Sequence, residues 1–376
     1  MIYATLLLFI FLLIFYLRFL SGVYSGLRSL LPAEIKSINE FVTIVVPFRN
    51  EAENIVTCYK SLTAQNYDKE KYEIIFVNDF SEDNSLEVLL KANDASNVKI
   101  ISREDDKTKR GHKKKAVEAG ISAARGEIIV LTDADCVHGK DWLRHLLSNF
   151  DDKTAFVSGP VEIDSGGTLF GKLQKLEFAG LVLTGAGLIG KGAPAICNAA
   201  NLAFKKSVFF EVGGYEGLMN LSSGDDELLM QKIASQGKYE IRFSADKESI
   251  VKTDAKKNLS DFLEQRKRWA SKGLFYKNKK LVFELILIFL FYAGLLFQLI
   301  YGIFFENIFL VSFILSFLMK IIFEYKILSY GGKTLFPSLP LRLLLIAEIV
   351  QPIYIVVSSV SGLFGNYAWK NRKVAR

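Results

Sequence analysis

Apolar positions in the middle of the chain form short runs that alternate with amphipathic segments. Four runs rich in β-branched residues have the length and composition of buried strands. They are residues 42–47, 72–79, 97–102 and 126–132. The segments between them carry apolar residues at helical spacing and are residues 51–62, 81–93 and 113–124. This alternation predicts an α/β fold with a parallel sheet, βαβ crossovers and helices on both faces.

Longer apolar stretches near both ends of the chain predict membrane helices. Residues 3–17 are uninterrupted and, when extended to Leu20, are long enough to cross a bilayer. They lack the basic start and the small-residue cleavage site of a signal peptide, so we interpret them as an anchor. Three more apolar stretches follow the soluble part, and the third contains Glu348, Gln351 and Pro352. These stretches are residues 281–305, 308–323 and 341–364.

The pattern divides the chain into four predicted parts. They are an anchor at residues 1–22, a soluble domain at 38–275, a membrane region of two or three spans at 281–364 and a basic tail at 365–376. Arg18, Arg28 and Lys36 follow the first span and no basic residue precedes it, which predicts a cytoplasmic soluble domain. Three later spans would leave the basic tail outside, against the same rule. Either residues 341–364 lie in the interface or another stretch does not span.

The charge of the chain is unevenly distributed. The net charge is +7, and residues 252–280 hold ten basic and three acidic residues just before a predicted span. Juxtamembrane basic residues meet anionic headgroups, so this run does not indicate a nucleic-acid partner. Cys58, Cys136 and Cys197 show no paired spacing, which indicates free thiols in a reducing compartment.

Carboxylates follow three of the predicted strands. Asp133 and Asp135 follow the run at residues 126–132, Asp79 is the last residue of the run at 72–79, and Glu51 follows the run at 42–47. The carboxyl ends of parallel strands meet at one edge, where open α/β sheets bind ligands. Two carboxylates one residue apart repel unless a cation lies between them, and Mg²⁺ or Mn²⁺ prefers oxygen ligands. A strand-end turn is the alternative interpretation, because Asp is common in turns.

Lys113 begins the third predicted helix. An ammonium group at a helix amino terminus favours phosphate, although a solvated run of charge at residues 113–115 is the alternative. The sequence has neither a G-x-G-x-x-G after the first strand nor a P-loop, so neither a dinucleotide cofactor nor a P-loop nucleotidase is indicated. Carboxylates, a metal and a phosphate-attracting helix end suit a nucleoside diphosphate that carries a leaving group.

Several motifs occur in a fixed order along the chain. They are "VVPFRNEAENI", "VNDFSEDNS", "GHKKKAVEAGI", "TDADC", "SSGDDELL" and, just before the membrane stretches, "QRKRW". In this order they resemble the family 2 glycosyltransferases, membrane-associated enzymes with the GT-A fold. The resemblance covers about residues 42–269 and continues into the membrane region. It implies a mixed, mostly parallel sheet with transmembrane helices at both ends.

The resemblance also implies which residues hold the nucleotide-sugar. The residues so implied are Pro47, Glu51, Asp79, Lys113 and Asp133. Asp79 would contact the uracil or ribose, although the family usually has two adjacent acids and this chain has Asn78 in the first position. Lys113 would lie near the diphosphate. Asp133 and Asp135 would hold the Mg²⁺ or Mn²⁺ that bridges it.

The downstream motifs are similar to the family's catalytic and acceptor segments. In the segment "SSGDDELL", the resemblance, with the spacing back from Ile233 and Gly237, implies that Asp226 is the catalytic base, with Asp225 as the near alternative. Gln265 and Trp269 would close over the donor and line the acceptor entrance, and Arg268 would help to stabilise the leaving diphosphate. The alternative interpretations are a helix-capping acid at Asp226 and an interfacial basic helix for the Q-x-x-R-W segment.

These observations predict an inverting glycosyltransferase of the bacterial plasma membrane with a cytoplasmic catalytic domain. It would move a sugar from a nucleotide-sugar, expected to be a UDP-sugar, to a lipid or lipid-linked acceptor. The expected partners are the donor, the acceptor and the bilayer, with no nucleic acid. A processive polysaccharide synthase of the same family is the main alternative. A non-catalytic membrane scaffold and a metal-dependent nucleotidyl or phosphoryl transferase are the others.

Overall fold

The computed structural model of the chain describes residues 2–36, 40–104, 112–219, 224–273, 276–364, 367–369 and 372–374. Two compact units can be distinguished. The α/β unit comprises residues 28–164 and 184–254. The helical unit comprises residues 1–27, 165–183 and 255–376, and therefore includes the segment that precedes the membrane helices.

The helices and strands follow one another along both units. The helices are α1 (Ile2–Ser29), α2 (Ile55–Thr63), α3 (Ser85–Ala92), α4 (Lys113–Ala123), α5 (Trp142–Leu147), α6 (Leu169–Gly190), α7 (Lys206–Glu211), α8 (Glu227–Ala234), α9 (Leu259–Ala270), α10 (Lys279–Phe304), α11 (Asn307–Thr334) and α12 (Leu344–Phe364). The strands are β1 (Val42–Phe48), β2 (Tyr72–Asn78), β3 (Val98–Ser102), β4 (Ile128–Leu131), β5 (Cys136–His138), β6 (Thr154–Ser158), β7 (Val161–Asp164), β8 (Leu202–Lys205), β9 (Glu240–Phe243), β10 (Val251–Asp254), β11 (Tyr367–Trp369) and β12 (Arg372–Val374).

The α/β unit is built on a seven-stranded sheet of order β3-β2-β1-β4-β8-β6-β9. Strands β1 to β4 are parallel to one another, as the alternating pattern predicts. Strand β8 runs antiparallel to both β4 and β6, so the sheet is mixed. A second sheet of three strands has the order β5-β10-β7. The predicted mixed sheet with helices is confirmed.

The centre of the larger sheet is fully buried. Every residue of β1, β2 and β4 is buried, in agreement with their β-branched and aromatic composition. Helix α4 approaches this layer closely, since a Cβ at Gly120 would overlap the side chain of Val45. Only glycine permits that approach. This close packing fixes the position of α4 on the sheet, and therefore the position of Lys113, its first residue.

Helices α2 and α3 begin four residues later than the sequence pattern predicts. The intervening turns are held by hydrogen bonds between the two segments. The Glu51 amide donates to Ser85 Oγ over 2.7 Å, and the Ala52 amide donates to Asp83 Oδ2 over 3.1 Å. Ser and Asp side chains compete in this way for backbone amides that would otherwise enter a helix.

The helical unit contains four helices that are long and apolar enough to cross a membrane, among the residues described. They are α1, α10, α11 and the segment Leu341–Gly362. The predicted apolar stretches are therefore helical, although α1 and α11 extend beyond them to Ser29 and Thr334. Strands β11 and β12 pair within the predicted basic tail, of which residues 365, 366, 370, 371, 375 and 376 lie outside the described residues.

Polar residues within the last apolar stretch have partners inside the helical unit. The Lys320 ammonium contacts the Glu348 carboxylate and the Gln351 side chain, and it lies 3.0 Å from Glu324 Oε1. Glu348 is only 2% exposed. Ionisable groups in membrane helices are tolerated when they pair within the bundle. Glu348 and Gln351 therefore do not require residues 341–364 to lie in the interface.

Candidate active site

Lys113 joins two acidic segments that are far apart in the sequence. Its Nζ lies 2.7 Å from Asp133 Oδ1 and 3.1 Å from Asp225 Oδ2. Burial alone would lower the pKa of Lys113, but attraction to the two carboxylates outweighs burial and raises the pKa. The lysine is therefore a charged ammonium. The structure brings together three of the residues predicted from separate motifs.

The carboxylates of Asp133 and Asp135 follow β4 and are half-buried. Burial raises the pKa of Asp133, attraction to Lys113 opposes that rise, and repulsion from Asp135 adds to it. Burial and the same two carboxylates raise the pKa of the neighbouring Cys58 and Cys136 thiols. The turn after β4 is thus a region of negative potential, and a cation bound there would relieve the repulsion.

The acids after β4 fit a metal that is shared with a substrate. Among the described residues, no group of three His, Cys, Asp or Glu side chains is arranged to hold a metal. Asp133 and Asp135 both offer carboxylate oxygens there. Mg²⁺ is usually bound by one or two carboxylates, waters and substrate phosphates rather than by a full protein cage. This donor set therefore fits Mg²⁺ or Mn²⁺ once a diphosphate completes the coordination.

A neutral histidine supports the turn that carries these acids. The Thr132 hydroxyl lies 2.8 Å from His138 Nε2 and donates to the Ala200 carbonyl, also over 2.8 Å. The other ring nitrogen, Nδ1, lies 2.9 Å from Ser61 Oγ. Burial lowers the pKa of His138 to about 3, so the imidazole is uncharged. His138 has no role predicted from sequence, because no residue near it in the sequence indicates a supporting role.

Asp79 is buried at the end of β2, with 2% of its surface exposed. Its Oδ1 accepts a hydrogen bond from the Arg103 guanidinium and another from the His112 amide, over 2.8 Å. Arg49 Nη1 donates to the Asp79 carbonyl over 2.9 Å. Asp79 thus links β2 to the residue before α4. Arg49 and Arg103 were not predicted as site residues, and only their positive charge near strand ends could have indicated them.

Pro47 and Glu51 lie at and just after the end of β1. Pro47 is paired with Val77 of β2, and Glu51 Oε2 accepts a hydrogen bond from Asn54 Nδ2 over 2.9 Å. Asn50 beside them has a φ of +52°, and Phe80 after β2 has a φ of +57°. A bulky residue at positive φ is costly, and such strain is concentrated at functional sites. Phe80 therefore adds an independent indication of function at this edge.

Asp226 caps helix α8. Its Oδ1 accepts a hydrogen bond from the Glu227 amide over 2.7 Å, and its Oδ2 accepts one from the Ala199 amide over 3.1 Å. The capping interpretation is therefore correct as local structure. It does not exclude a catalytic role, since a carboxylate offers about four lone-pair positions and two amides leave capacity for a proton.

Asp225 is held in a different environment from its neighbour. Burial alone would raise the pKa of Asp225, but attraction to Lys113 and Lys114 outweighs it and lowers the pKa to about 2. The side chain is only 9% exposed. A carboxylate of such low basicity is a poor proton acceptor near neutral pH. Its contact with Lys113 indicates a structural counter-charge.

The Q-x-x-R-W segment lies on α9 in the helical unit. The Arg266 guanidinium forms a salt bridge with Glu177 of α6 and donates from Nη1 to Gln265 Oε1. It also lies 4.4 Å from the Trp269 ring centroid. Arg266 therefore contacts the first and last residues of the motif and orients them. Roles are predicted from sequence for Gln265, Arg268 and Trp269 but not for Arg266, which occupies a variable position of the pattern.

We expect Arg266→Leu to lower the free energy of unfolding by about 3–5 kcal/mol, because it leaves the Glu177 carboxylate buried and unpaired. The side chains of this pair are 4% and 10% exposed. The midpoint of thermal unfolding of the detergent-solubilised protein measures the loss. The double variant with Glu177→Leu should recover much of it. As a control, Lys91→Ala breaks an exposed pair with Glu87 and should change the unfolding midpoint far less, because exposed ion pairs contribute little to stability. Equal losses at the two sites would contradict the prediction.

Two family models match the chain. Residues 43–212 match the model described as Glycosyl transferase family 2. Residues 128–363, more than half of the chain, match the model described as Glycosyl transferase family group 2. The chain belongs to the family 2 glycosyltransferases. The predicted family and the predicted class of enzyme are confirmed, while the roles of individual residues stay predictions.

This family 2 glycosyltransferase has characterised sequence relatives. It is 26% identical over 245 residues to the poly-beta-1,6-N-acetyl-D-glucosamine synthase of Staphylococcus aureus. The aligned region covers 62% of this chain and 55% of the synthase. It is 28% identical over 210 residues to the glycosyltransferase AglE of Haloferax volcanii. This aligned region covers 55% of this chain and 65% of AglE. The chain therefore spans about half the length of the synthase.

A solved structure resembles this glycosyltransferase in fold. The mannosyltransferase PcManGT from Pyrobaculum calidifontis, solved in complex with GDP-Man and Mn²⁺, superimposes with a TM-score of 0.60 at 17% sequence identity. The match covers 96% of this chain and 99% of the mannosyltransferase. At this identity the likeness shows the fold alone, and it confirms the predicted GT-A architecture.

Proposed function

We propose that this glycosyltransferase moves a sugar from a nucleotide-sugar to a lipid or lipid-linked acceptor, with inversion at the anomeric carbon. The supporting observation is the contact of Lys113 with both Asp133 and Asp225. It supports a single site in which a cation, the acids after β4 and the downstream acid pair act together. A nucleotidyl or phosphoryl transferase would not call for the Q-x-x-R-W segment that precedes the membrane helices.

On the donor side, Lys113 and the amino terminus of α4 would hold the diphosphate. Asp133 and Asp135 would hold Mg²⁺ or Mn²⁺. When bound, the metal supplies Lewis-acid stabilisation of the charge that grows on the leaving diphosphate. Asp225 and Asp133 keep the Lys113 ammonium charged and in place before the donor arrives, so little reorganisation is needed during transfer.

On the acceptor side, Asp226 would take the proton of the attacking hydroxyl. An inverting transfer is a single displacement, so one base is sufficient. The two backbone amides that bind Asp226 hold its carboxylate in a fixed orientation. Asp225 is less suited to this task because its pKa is lowered to about 2 by the nearby lysines, against the effect of burial.

A processive polysaccharide synthase is the second candidate, and the similarity to the Staphylococcus aureus synthase favours it. Membranes that contain the protein, supplied with radiolabelled nucleotide-sugar, distinguish the candidates. Label in a lipid extract with one added sugar supports the lipid acceptor. Label in a high-molecular-weight polymer overturns that assignment in favour of the synthase. No transfer above membranes without the protein contradicts both.

We also propose that the four apolar helices anchor the protein in a bacterial plasma membrane with the α/β unit in the cytoplasm. The supporting observations are their lengths, from 22 to 28 residues, and the basic residues Arg18, Arg28 and Lys36, which follow the first apolar stretch. Cysteines introduced after α1 and at the carboxyl terminus, labelled with a membrane-impermeant maleimide in intact cells, test this orientation. Labelling of the cysteine after α1 in intact cells would contradict it.

We expect the donor to be a UDP-sugar, so free UDP should inhibit transfer at lower concentration than GDP or dTDP. The expectation rests on the resemblance and on Asp79 at the end of β2. GDP is the informative competitor, because the mannosyltransferase of similar fold was solved with GDP-Man. Steady-state inhibition by the three nucleotides at equal concentrations is the measurement. Inhibition by GDP without inhibition by UDP would show that the nucleotide assignment is wrong.

A further inference from the structure

A basic cleft lies in the helical unit, between the first turns of α6 and the loop that joins α11 to α12. Its volume is about 580 Å³. Its polar lining consists of Ser165, Lys172, Lys175, Ser338 and Arg342, and its other lining residues are prolines and leucines. Neither the donor chemistry nor the predicted motifs make use of these residues.

The cleft carries three positive charges and no lining carboxylate. Within the described part of the chain, the Lys172 ammonium and the Arg342 guanidinium have no hydrogen-bond or ion-pair partner. Lys175 Nζ donates to Ser338 Oγ over 2.8 Å, and the two lysines are half-buried. Arg342 is exposed. Like charges that line one cleft repel one another, and a bound anion would reduce this repulsion.

The wall of the cleft is held in shape without a ligand. Leu335 and Phe336 are buried to 2% and 0% exposure, and the amides of both donate to the Gly331 carbonyl over 2.8 Å. The Leu339 amide donates to the Phe336 carbonyl over 3.1 Å. Two prolines in the loop further restrict its backbone. A preformed wall lowers the cost of binding.

The position of the loop indicates where the anion comes from. Helices α11 and α12 are both long and apolar enough to span a membrane. A short loop between two spans lies at a membrane surface, where anionic headgroups meet basic side chains. A guanidinium, ammonium groups and hydroxyls together suit the oxygens of a phosphate group. We propose that this cleft binds the phosphate group of an anionic lipid.

Binding to the full-length protein in neutral detergent tests the proposal, measured by calorimetry. The probes are dioctanoyl phosphatidic acid, dioctanoyl phosphatidylcholine and inorganic phosphate. We expect the double variant Lys172→Gln, Arg342→Gln to bind phosphatidic acid about 10- to 30-fold more weakly, since each basic contact contributes about 1 kcal/mol. The charge-preserving variant Lys172→Arg, Arg342→Lys should bind almost as the wild type. Lys333→Gln, which removes an exposed cation outside the cleft, should also leave the affinity unchanged.

The outcomes separate the two possible sources of phosphate. Tight binding of phosphatidic acid, weaker binding of phosphatidylcholine and a selective loss in the double variant support a lipid headgroup. Equally tight binding of inorganic phosphate, lost in the same variant, overturns the lipid assignment and leaves a soluble phosphate site. An affinity for phosphatidic acid that is the same in the wild type and the double variant overturns the site altogether. Thermal unfolding of each variant confirms that it is folded.

Discussion

Asp226→Asn is expected to lower kcat by about 10²- to 10⁴-fold, the usual effect of removing a positioned general base. The affinity for UDP should stay nearly unchanged, because the base acts on the acceptor and not on the diphosphate. The expected result is a loss of rate without a matching loss of nucleotide binding. Hydrolysis of the donor by water should fall in parallel, since water needs the same base. Steady-state turnover and calorimetric UDP affinity are the measurements.

Asparagine suits this test because it preserves the local fold. Asn is as good a helix-capping residue as Asp, and its side-chain oxygen can still accept from the Glu227 amide. A loss of activity would therefore not reflect the loss of α8. Asp225→Asn is the matched control and should reduce the rate less, because it removes a counter-charge of Lys113. An inactive Asp225→Asn beside an active Asp226→Asn would assign the base to Asp225, and activity in both would exclude the pair.

Asp135→Asn is expected to abolish turnover and to weaken UDP binding only when a divalent metal is present. The substitution removes one anionic ligand from the pair that follows β4. A hard divalent cation depends on anionic oxygen ligands, so its affinity for the site should fall. Calorimetric titration of UDP with and without Mn²⁺ measures the metal-dependent part of the affinity. This readout does not depend on the acceptor, which makes it independent of the base.

The control for this prediction is Asp152→Asn, at an exposed position of the same unit. It removes one negative charge without touching the turn after β4, so it should leave the effect of Mn²⁺ unchanged. If Asp135→Asn behaves like Asp152→Asn, Asp135 is not a metal ligand. If Asp135→Asn instead weakens UDP binding equally with and without Mn²⁺, it acts through the nucleotide contact and not through the metal.

Local sequence pattern determined the elements of this protein. Strands β1, β2 and β4 follow from β-branched runs that can be stable only when buried, and the four long helices follow from apolar stretches of spanning length. The pair Asp133 and Asp135 could be predicted as acids at the end of a strand, because both directly follow a β-branched run. These features depend on residues that are close in sequence, so their periodicity and composition are sufficient to predict them.

The sequence could not predict the partners of the charged residues, and only the tertiary structure decided them. Lys113 meets Asp225 because the segment before α8 returns to the edge from which Asp133 projects. Arg266 pairs with Glu177, and Lys320 pairs with Glu348, across helices that are distant in sequence. A buried charge needs an opposite charge in space, at whatever sequence separation the fold supplies.

The same distinction explains why Asp226 had two interpretations from sequence. An acid before an apolar helical run is typical of both a cap and a base, since both use the same carboxylate. The fold supplied the Ala199 amide as a second donor to Asp226 and the two lysines that lower the pKa of Asp225 against the effect of burial. The sequence alone determined that two acids occur at this point, and the tertiary environment determined which groups each of them contacts.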